Sequence, residues 1–166
     1  MVNPSRIIKH LASTHWRVRR AFSSRAMAEI AATIRNCESR HRGAIRFVVE
    51  GSLDLPALWR DQSARERALE VFSLLRVWDT EHNNGILIYL LFADRDVEII
   101  ADRGIHRRVD GAEWEHICRG MEESFRRGEF ARGVVEGIQA VSRHLIRHFP
   151  VAGENPNELS DRPVIL

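Results

Sequence analysis

The sequence predicts an α/β fold: a small mixed β-sheet, with a parallel crossover and an antiparallel hairpin, sandwiched between helices on both faces. Residues 44–50 alternate apolar and polar side chains as a strand does, and residues 85–93 are apolar on both faces, as an interior strand is. Residues 97–101, "VEIIA", are predicted as a third strand, and only the short link from Ala93 to Asp96 joins it to the second strand. So short a link permits only an antiparallel pair, whereas the long stretch between the first two strands predicts a parallel, right-handed crossover.

Apolar residues at helical spacing predict helices before, between and after these strands. They cover about residues 24–40, 63–78, 110–125 and 130–149, and a short basic helix is predicted within residues 6–20. A sheet that is followed and preceded by such helices is covered on both faces.

Cap residues and tryptophans refine this interpretation. Ser63 and Glu66 form a capping box, in which each side chain satisfies a free backbone amide at the helix start. Asp110 and Glu113 indicate a second cap, residues 51–56 are predicted as a loop, and residues 102–104 could form a turn. The tryptophans are expected to anchor the core or its edges: Trp16, Trp59, Trp78 and Trp114.

The chain divides into a basic arm or helix over residues 1–22, an α/β domain over residues 23–150 and a polar tail over residues 151–166. The net charge is only +2, but the first acidic residue is Glu29, so the positive charge of the arm is not balanced locally. Such an arm could contact a membrane surface, RNA or an acidic partner, although a solvated helix face is the more frequent case. The end of the tail, "RPVIL", could add a short edge strand.

Two features lead us to expect a cytoplasmic protein. Cys37 and Cys118 lie at apolar positions of helical patterns, without the spacing of a metal site, and are expected to stay reduced. No segment reaches the roughly 20 apolar residues of a membrane helix, and the N-terminus lacks the continuous apolar region of a secretory signal.

The predicted topology gathers polar residues at the end of the sheet where the second strand begins and the third ends. It brings "WDTEHNNG" (78–85) beside "ADRGIHRRVDG" (101–111). Carboxylate and amide oxygens suit a hard divalent cation such as Ca²⁺ or Mg²⁺, and a nearby histidine could transfer a proton. The candidate metal ligands are Asp79, Glu81, Asn83, Asn84, Asp102 and Asp110, and the candidate catalytic residues are His82 and His106.

Several of these residues also have a purely structural interpretation. Asn83 and Asn84 could form a turn that tolerates left-handed backbone angles, Asp102 could make a local ion pair, and Asp110 could only cap a helix. The opposite end of the sheet is a second, less favoured location, because open α/β sheets usually bind ligands beyond the carboxyl ends of their parallel strands. Its polar residues are Glu50, Ser52, Asp54, Asp94 and Asp96.

The sequence contains no Gly-x-Ser-x-Gly, Walker loop, Gly-x-Gly-x-x-Gly or His-Glu-x-x-His motif. These absences argue against a serine hydrolase of the nucleophile-elbow type, a P-loop enzyme, a dinucleotide-binding domain and a zinc protease.

Several elements nevertheless follow one another in a familiar order. They are Asn84-Gly85 opening an apolar strand, Asp94-Arg95 in the hairpin, Gly104 after the third strand, and Phe125-Arg126, Gly128, Phe130 and Gly133 around the start of the last helix. In this order they resemble the TPM domain family over about residues 24–147. That family includes a plant thylakoid-lumen protein, a photosystem II repair protein and a modulator of acetylcholine-gated channels. The resemblance is to a soluble, bacterial-type member without the membrane anchor that many members carry.

The resemblance implies a mixed sheet between helix layers, binding of divalent cations, calcium in particular, and an acid phosphatase activity. It supports Asn84 and Gly104 as structural markers of a site. The third strand of the family usually ends in Gly-x-Gly, often followed by Glu, whereas this chain has "ADRGIH" (101–106). The family's metal ligands therefore do not carry over one for one.

Two functions are expected from these observations. The first is a divalent-cation-binding domain that acts through an unidentified protein partner, linked to a membrane or envelope process. The second is a metal-assisted acid phosphatase, in which the ion neutralises the charge of a phosphate monoester and activates water, and His82 or His106 protonates the leaving oxygen. Nucleic-acid binding through the basic arm ranks lowest.

Overall fold

The structure is a computed structural model that describes residues 3–13 and 15–166. Its helices are α1 (Pro4–Ala12), α2 (His15–Ala21), α3 (Ser24–Glu38), α4 (Leu55–Trp59), α5 (Ala64–Leu74), α6 (Arg103–His106), α7 (Gly111–Arg126) and α8 (Phe130–His148). Its strands are β1 (Ala44–Glu50), β2 (Gly85–Leu91), β3 (Asp96–Ala101) and β4 (Val164–Ile165).

The strands form one mixed sheet in the order β3-β2-β1-β4. β1 and β2 are parallel, with Ala44 opposite Gly85, and β2 and β3 are antiparallel. The α/β class, the parallel crossover and the hairpin are therefore confirmed. β4 lies parallel to β1 and comes from the end of the tail, where "RPVIL" offered only a weak strand signal.

Helices cover both faces of the sheet, and every residue of β1 and β2 is buried. On one face Phe47 and Ile88 pack in a core with residues of α3, α7 and α8, and on the other Val48 and Leu87 pack with residues of α4 and α5. Because successive strand residues point to opposite faces, the continuous apolar sequence of β2 is what a strand covered on both faces needs. None of the helices in the described part of the chain is long and apolar enough to cross a membrane.

The basic arm packs against the end of the sheet where β1 finishes. His10 Nδ1 accepts a hydrogen bond of 2.9 Å from the Leu53 backbone N–H, and Arg6 Nε donates one of 2.9 Å to Asp94 Oδ2. α2 adds Val18 to the core. The predicted helix over residues 6–20 is thus divided between α1 and α2. Of the predicted arm, residues 1, 2 and 14 lie outside the described residues.

The tail folds back onto the body of the protein. Asn155 Nδ2 donates a hydrogen bond of 2.9 Å to the His41 carbonyl, and the Arg46 guanidinium donates to the Ser160 carbonyl. These contacts and the pairing of β4 hold the tail along the β1 edge of the sheet.

Two short helices were not expected from the sequence. α4 begins inside the predicted loop 51–56, where the Asp54 side chain accepts a hydrogen bond of 2.9 Å from the Ala57 N–H. α6 stands where a turn was predicted, and the Asp102 side chain caps it. Helices of one turn carry too few apolar positions to show a period in the sequence.

Of the tryptophans expected to anchor the core or its edges, Trp114 lies in the core and is 5% exposed. Trp16, Trp59 and Trp78 are 65%, 69% and 46% exposed, so they do not lie in the core. Trp59 ends α4, and Trp78 follows the end of α5, which stops earlier than predicted, at Leu74. A residue that follows the end of a helix no longer shares the inward face of that helix.

Candidate functional site

Two glycines let the loop before β2 pack tightly against the turn after β3. A Cβ on Gly85 would lie 1.9 Å from the Val77 carbonyl oxygen. A Cβ on Gly104 would lie 2.3 Å from the His82 carbonyl oxygen and 2.6 Å from that of Asn83. Neither position accepts a side chain, and three backbone carbonyls therefore crowd this end of the sheet.

Backbone hydrogen bonds fix the contact between the two segments. Gly104 N–H donates to the Asn83 carbonyl at 2.7 Å, and Asp102 N–H donates to the Gly85 carbonyl at 2.9 Å. Asn83 has a φ of 51°, in the left-handed region that asparagine tolerates well, as the turn interpretation predicted. The predicted approach of residues 78–85 to residues 101–111 is therefore confirmed at the backbone level.

Asp102 is the candidate ligand with the clearest need for a partner. The residue is 7% exposed, and its Oδ1 accepts a hydrogen bond of 2.7 Å from the Arg103 N–H. Its Oδ2 is buried and has no hydrogen-bond partner among the described residues. A buried carboxylate oxygen is strongly unfavourable unless a cation, a proton or a water molecule satisfies it.

Asn84 lies at the same end of the sheet and is fully buried. Its Nδ2 donates to the Arg42 carbonyl at 3.1 Å, and its backbone N–H donates to Thr80 Oγ1 at 3.1 Å. Its Oδ1 is buried without a partner among the described residues. Asn84 thus joins the start of β1 to the start of β2 and leaves a neutral oxygen ligand free.

The other predicted ligands are exposed, and two of them have partners of their own. Asp79 is exposed and pairs with Arg76 at 2.8 Å, and Glu81 and Asn83 are exposed too. Asp110 is exposed and accepts a hydrogen bond of 2.9 Å from the Ala112 N–H at the start of α7, which is the helix-cap role. The described residues contain no group of three or more His, Cys, Asp or Glu side chains that could hold a metal ion.

The two candidate catalytic histidines have different surroundings. The His82 ring stacks on Phe149 after the end of α8, with ring centroids 6.4 Å apart, and its Nε2 is buried without a hydrogen bond to a described residue. His106 is exposed and lines a groove of about 660 Å³ beside β3 and α7, together with Trp114 and Cys118.

His41 also belongs to this end of the sheet and was not predicted. It is fully buried, and neither ring nitrogen has a hydrogen-bond partner among the described residues. Burial lowers its pKa from 6.5 to about 4, so the ring is neutral at neutral pH. Its neighbour Arg42 provides the carbonyl that holds Asn84. No sequence motif identifies His41 as a candidate site residue, and the one feature that could have drawn attention to it is its position just before β1.

At the opposite end of the sheet, the protein itself provides hydrogen-bond donors to Glu50 and Asp54. Glu50 accepts hydrogen bonds from Arg67 Nε and Nη2 at 2.9 and 3.0 Å, and one from the Tyr89 hydroxyl at 2.6 Å. Burial and the charge of Glu50 raise the pKa of the Tyr89 hydroxyl, which stays protonated and donates. Asp54 caps α4.

The hairpin acids at that end differ from each other. Arg6 and His10 hold the Asp94 carboxylate at 2.9 and 3.2 Å. Burial, together with the negative charges of Glu98 and Glu122, raises the pKa of Asp96 to about 6.

Comparison with known proteins agrees with this architecture. Residues 19–144 match the family model described as the TPM domain, whereas no curated protein matches the chain. Among solved structures, the chain is similar to the NMR structure of the BA42 protein from the psychrophilic bacterium Bizionia argentinensis sp. nov., with a TM-score of 0.76 and 26% identity. The similarity covers 87% of this chain and 94% of that chain. Because the family model matches most of its length, the chain belongs to the TPM domain family.

Proposed function

We propose that this protein is a divalent-cation-binding TPM domain that acts through a protein partner linked to a membrane process, and that Asp102 provides the anionic ligand. The observation that carries the proposal is the buried, unpartnered Oδ2 of Asp102. The hydrogen bond from the Arg103 N–H is made to the other oxygen, Oδ1, and leaves Oδ2 free. A buried carboxylate oxygen without a donor is a suitable ligand for a divalent cation.

Other oxygen atoms at this end of the sheet are of the type that a hard cation binds. Ca²⁺ and Mg²⁺ take oxygen ligands from carboxylates, amide side chains, backbone carbonyls and water. Asn84 Oδ1 is free, and the carbonyls of Val77 and His82 lie where Gly85 and Gly104 leave no Cβ to cover them. A single protein carboxylate with neutral oxygens leaves coordination positions for water or for a ligand from a partner.

The surroundings of the histidines favour a binding domain over an enzyme. His82 is stacked on Phe149, and His106 lines a groove next to Trp114. A general acid must reach the leaving oxygen within hydrogen-bond distance, and neither ring makes a hydrogen bond or an ion pair with Asp102.

The test is a titration of the full chain with Ca²⁺, then Mg²⁺, then Zn²⁺, followed by amide NMR. We expect saturable shifts concentrated in residues 79–84 and 102–110. Asp102→Asn keeps the size of the side chain and its cap but removes the charge, so it should abolish the saturable shifts. Asp79→Asn is the matched control, because it makes the same chemical change in an exposed carboxylate of the same region and should leave them intact.

Two outcomes would contradict the proposal. Binding by Asp102→Asn equal to that of the unchanged protein would remove Asp102 from the site, and shifts at residues 50–54 and 94–96 would move the site to the other end of the sheet. A third outcome would favour the metal-assisted phosphatase over the binding domain. In that case the protein releases phosphate from an aryl phosphate only when the cation is present, and Asp102→Asn abolishes this activity whereas Asp79→Asn does not.

A further inference from the structure

The helices of the N-terminal arm present large apolar side chains to solvent. Ile8 and Leu11 on α1 are each 66% exposed, and Trp16 on α2 is 65% exposed. The opposite side of α1 is anchored, because His10 is buried and Ile7 packs against the core. Exposed apolar residues on an anchored helix indicate an interaction surface rather than a loose chain end.

Basic residues surround these apolar side chains. Lys9, Arg17, Arg20 and Arg95 line a groove of about 780 Å³ between the arm and the hairpin turn. None of the four makes an ion pair with a residue that the structure describes. The acid in the groove, Asp94, already forms an ion pair with Arg6, whose Nε lies 2.9 Å from Asp94 Oδ2.

The interior of the groove is partly apolar. Ile8 and Trp16 contribute to it from the arm, and Phe92 and Phe130 contribute from the body of the protein. Apolar walls with a cationic rim fit an anionic amphiphile, whose phosphate meets the basic residues and whose hydrocarbon meets the apolar ones.

We propose that this arm surface, formed by Ile8, Leu11 and Trp16 with Lys9, Arg17, Arg20 and Arg95, binds bilayers that contain anionic phospholipid. Tryptophan prefers the interface between lipid and water, and a helix with apolar and basic side chains outward lies in that interface. Each basic residue near an anionic leaflet strengthens the attraction. The surface lies at the end of the sheet opposite Asp102, so the proposal does not depend on the cation site.

The aliphatic residues favour lipid over nucleic acid. A single-stranded nucleic acid would use the basic residues for its phosphates and Trp16 for stacking. It would gain little from Ile8 and Leu11, because bases stack on aromatic rings, whereas the acyl region of a bilayer accepts both side chains.

The test is co-sedimentation of the full chain with phosphatidylcholine vesicles, with and without phosphatidylglycerol. We expect binding only when phosphatidylglycerol is present, and weaker binding at high salt because salt screens exposed charges. The triple variant Lys9→Gln, Arg17→Gln, Arg20→Gln should bind about 100-fold more weakly, at roughly fivefold per basic residue. The matched control replaces three exposed arginines elsewhere by glutamine, at Arg107, Arg143 and Arg147, and should bind as the unchanged protein does.

The apolar contribution has its own matched pair of variants. Leu11→Ser with Trp16→Ser should weaken binding by on the order of tenfold, because interfacial binding scales with buried apolar area. Leu74→Ser with Trp78→Ser makes the same changes at side chains that are 70% and 46% exposed, away from the arm, and should have no effect. All four side chains are exposed, so the fold should persist, which circular dichroism verifies.

Equal binding to vesicles with and without phosphatidylglycerol, or equal losses in the arm and control variants, would overturn the proposal. Tighter binding of the full chain to an RNA oligomer than to the vesicles would also overturn it, provided that two further results hold. The triple basic variant should then lose RNA binding, and the variant Leu11→Ser with Trp16→Ser should keep it. That result would assign the basic residues to nucleic acid.

Discussion

Burial of His41 leads to a prediction about acid stability. The residue is fully buried, and burial lowers its pKa from 6.5 to about 4. The unfolded chain therefore takes up a proton on His41 near pH 6.5, whereas the folded protein takes it up only near pH 4. Between these values the unfolded state binds more protons, so falling pH favours unfolding. The contribution of neutral His41 is complete above pH 6.5 and is lost as the pH falls toward 4.

The size of the effect follows from the two pKa values. One unit of difference corresponds to about 1.4 kcal/mol, so His41 should lower the free energy of unfolding by about 2 kcal/mol at pH 5 and by about 3 kcal/mol at pH 4. This loss is a substantial part of the roughly 5–15 kcal/mol that stabilises an ordinary domain.

Urea unfolding followed by circular dichroism between pH 7.5 and 4.5 measures this effect in His41→Asn and in the unchanged protein. The variant should be less stable at pH 7.5 because of altered packing, and the difference should shrink by about 2–3 kcal/mol as the pH reaches 4.5. His106→Asn is the control, because it makes the same substitution at an exposed histidine, and the difference for His41→Asn should change more with pH than the difference for the control does. Equal pH dependence in the two variants would refute the argument from burial.

Two further predictions concern the same end of the sheet. Gly104→Ala should reduce the free energy of unfolding by about 1–3 kcal/mol, because its Cβ would meet the His82 carbonyl at 2.3 Å. Calorimetry should show a lower Tm for it but not for Gly120→Ala, where a Cβ meets nothing within 4 Å, and equal Tm values would contradict the predicted clash. Glu38→Gln should stabilise the protein progressively from pH 4.5 to 8, by on the order of 4 kcal/mol. Burial and Asp161 raise the Glu38 pKa from 4.5 to about 8, so the folded protein loses the stabilising effect of the neutral carboxyl as the pH rises. Urea unfolding at several pH values measures the gain, and a gain that does not change with pH would exclude titration of Glu38 as its cause.

The sequence predicted those parts of the fold that local patterns determine. The apolar run of residues 85–91 needs cover on both faces, and the short link after it forces the hairpin. The predicted capping box of Ser63 and Glu66 is confirmed, because both of its hydrogen bonds are present. The edge strand suggested for "RPVIL" is present as β4. Its pairing with β1 could not be predicted in this way, because two residues carry no period and the pairing depends on the folded tail.

The candidate site was predicted only in part, for a related physical reason. Strand pairing determines which segments meet, so Asn84 and Asp102 were correctly placed at one end of the sheet. Side-chain direction and local partners decide which residues remain available, and neither shows in the sequence. Arg76 pairs with Asp79, and the N–H of Ala112 is capped by Asp110, so these acids already have partners. His41 was missed because a lone histidine before a strand carries no motif.

The positions of the two proposed sites follow from how the arm docks. In an open α/β sheet, ligands usually bind beyond the carboxyl ends of the parallel strands. Here that end is closed by the chain itself: Arg6 and His10 hold Asp94, and Arg67 holds Glu50. The same docking turns the outer side of α1 toward solvent with Ile8 and Leu11 uncovered. At the other end, Asp102 and Asn84 each keep a buried oxygen without a hydrogen-bond partner among the described residues. The docked arm also forms the apolar, basic surface beside the hairpin. A variant that undocks the arm, such as Arg6→Gln with His10→Gln, should thus weaken vesicle binding by disordering that surface, and should leave a cation site at Asp102 unchanged. Loss of both activities together would show that the two ends are coupled through the sheet.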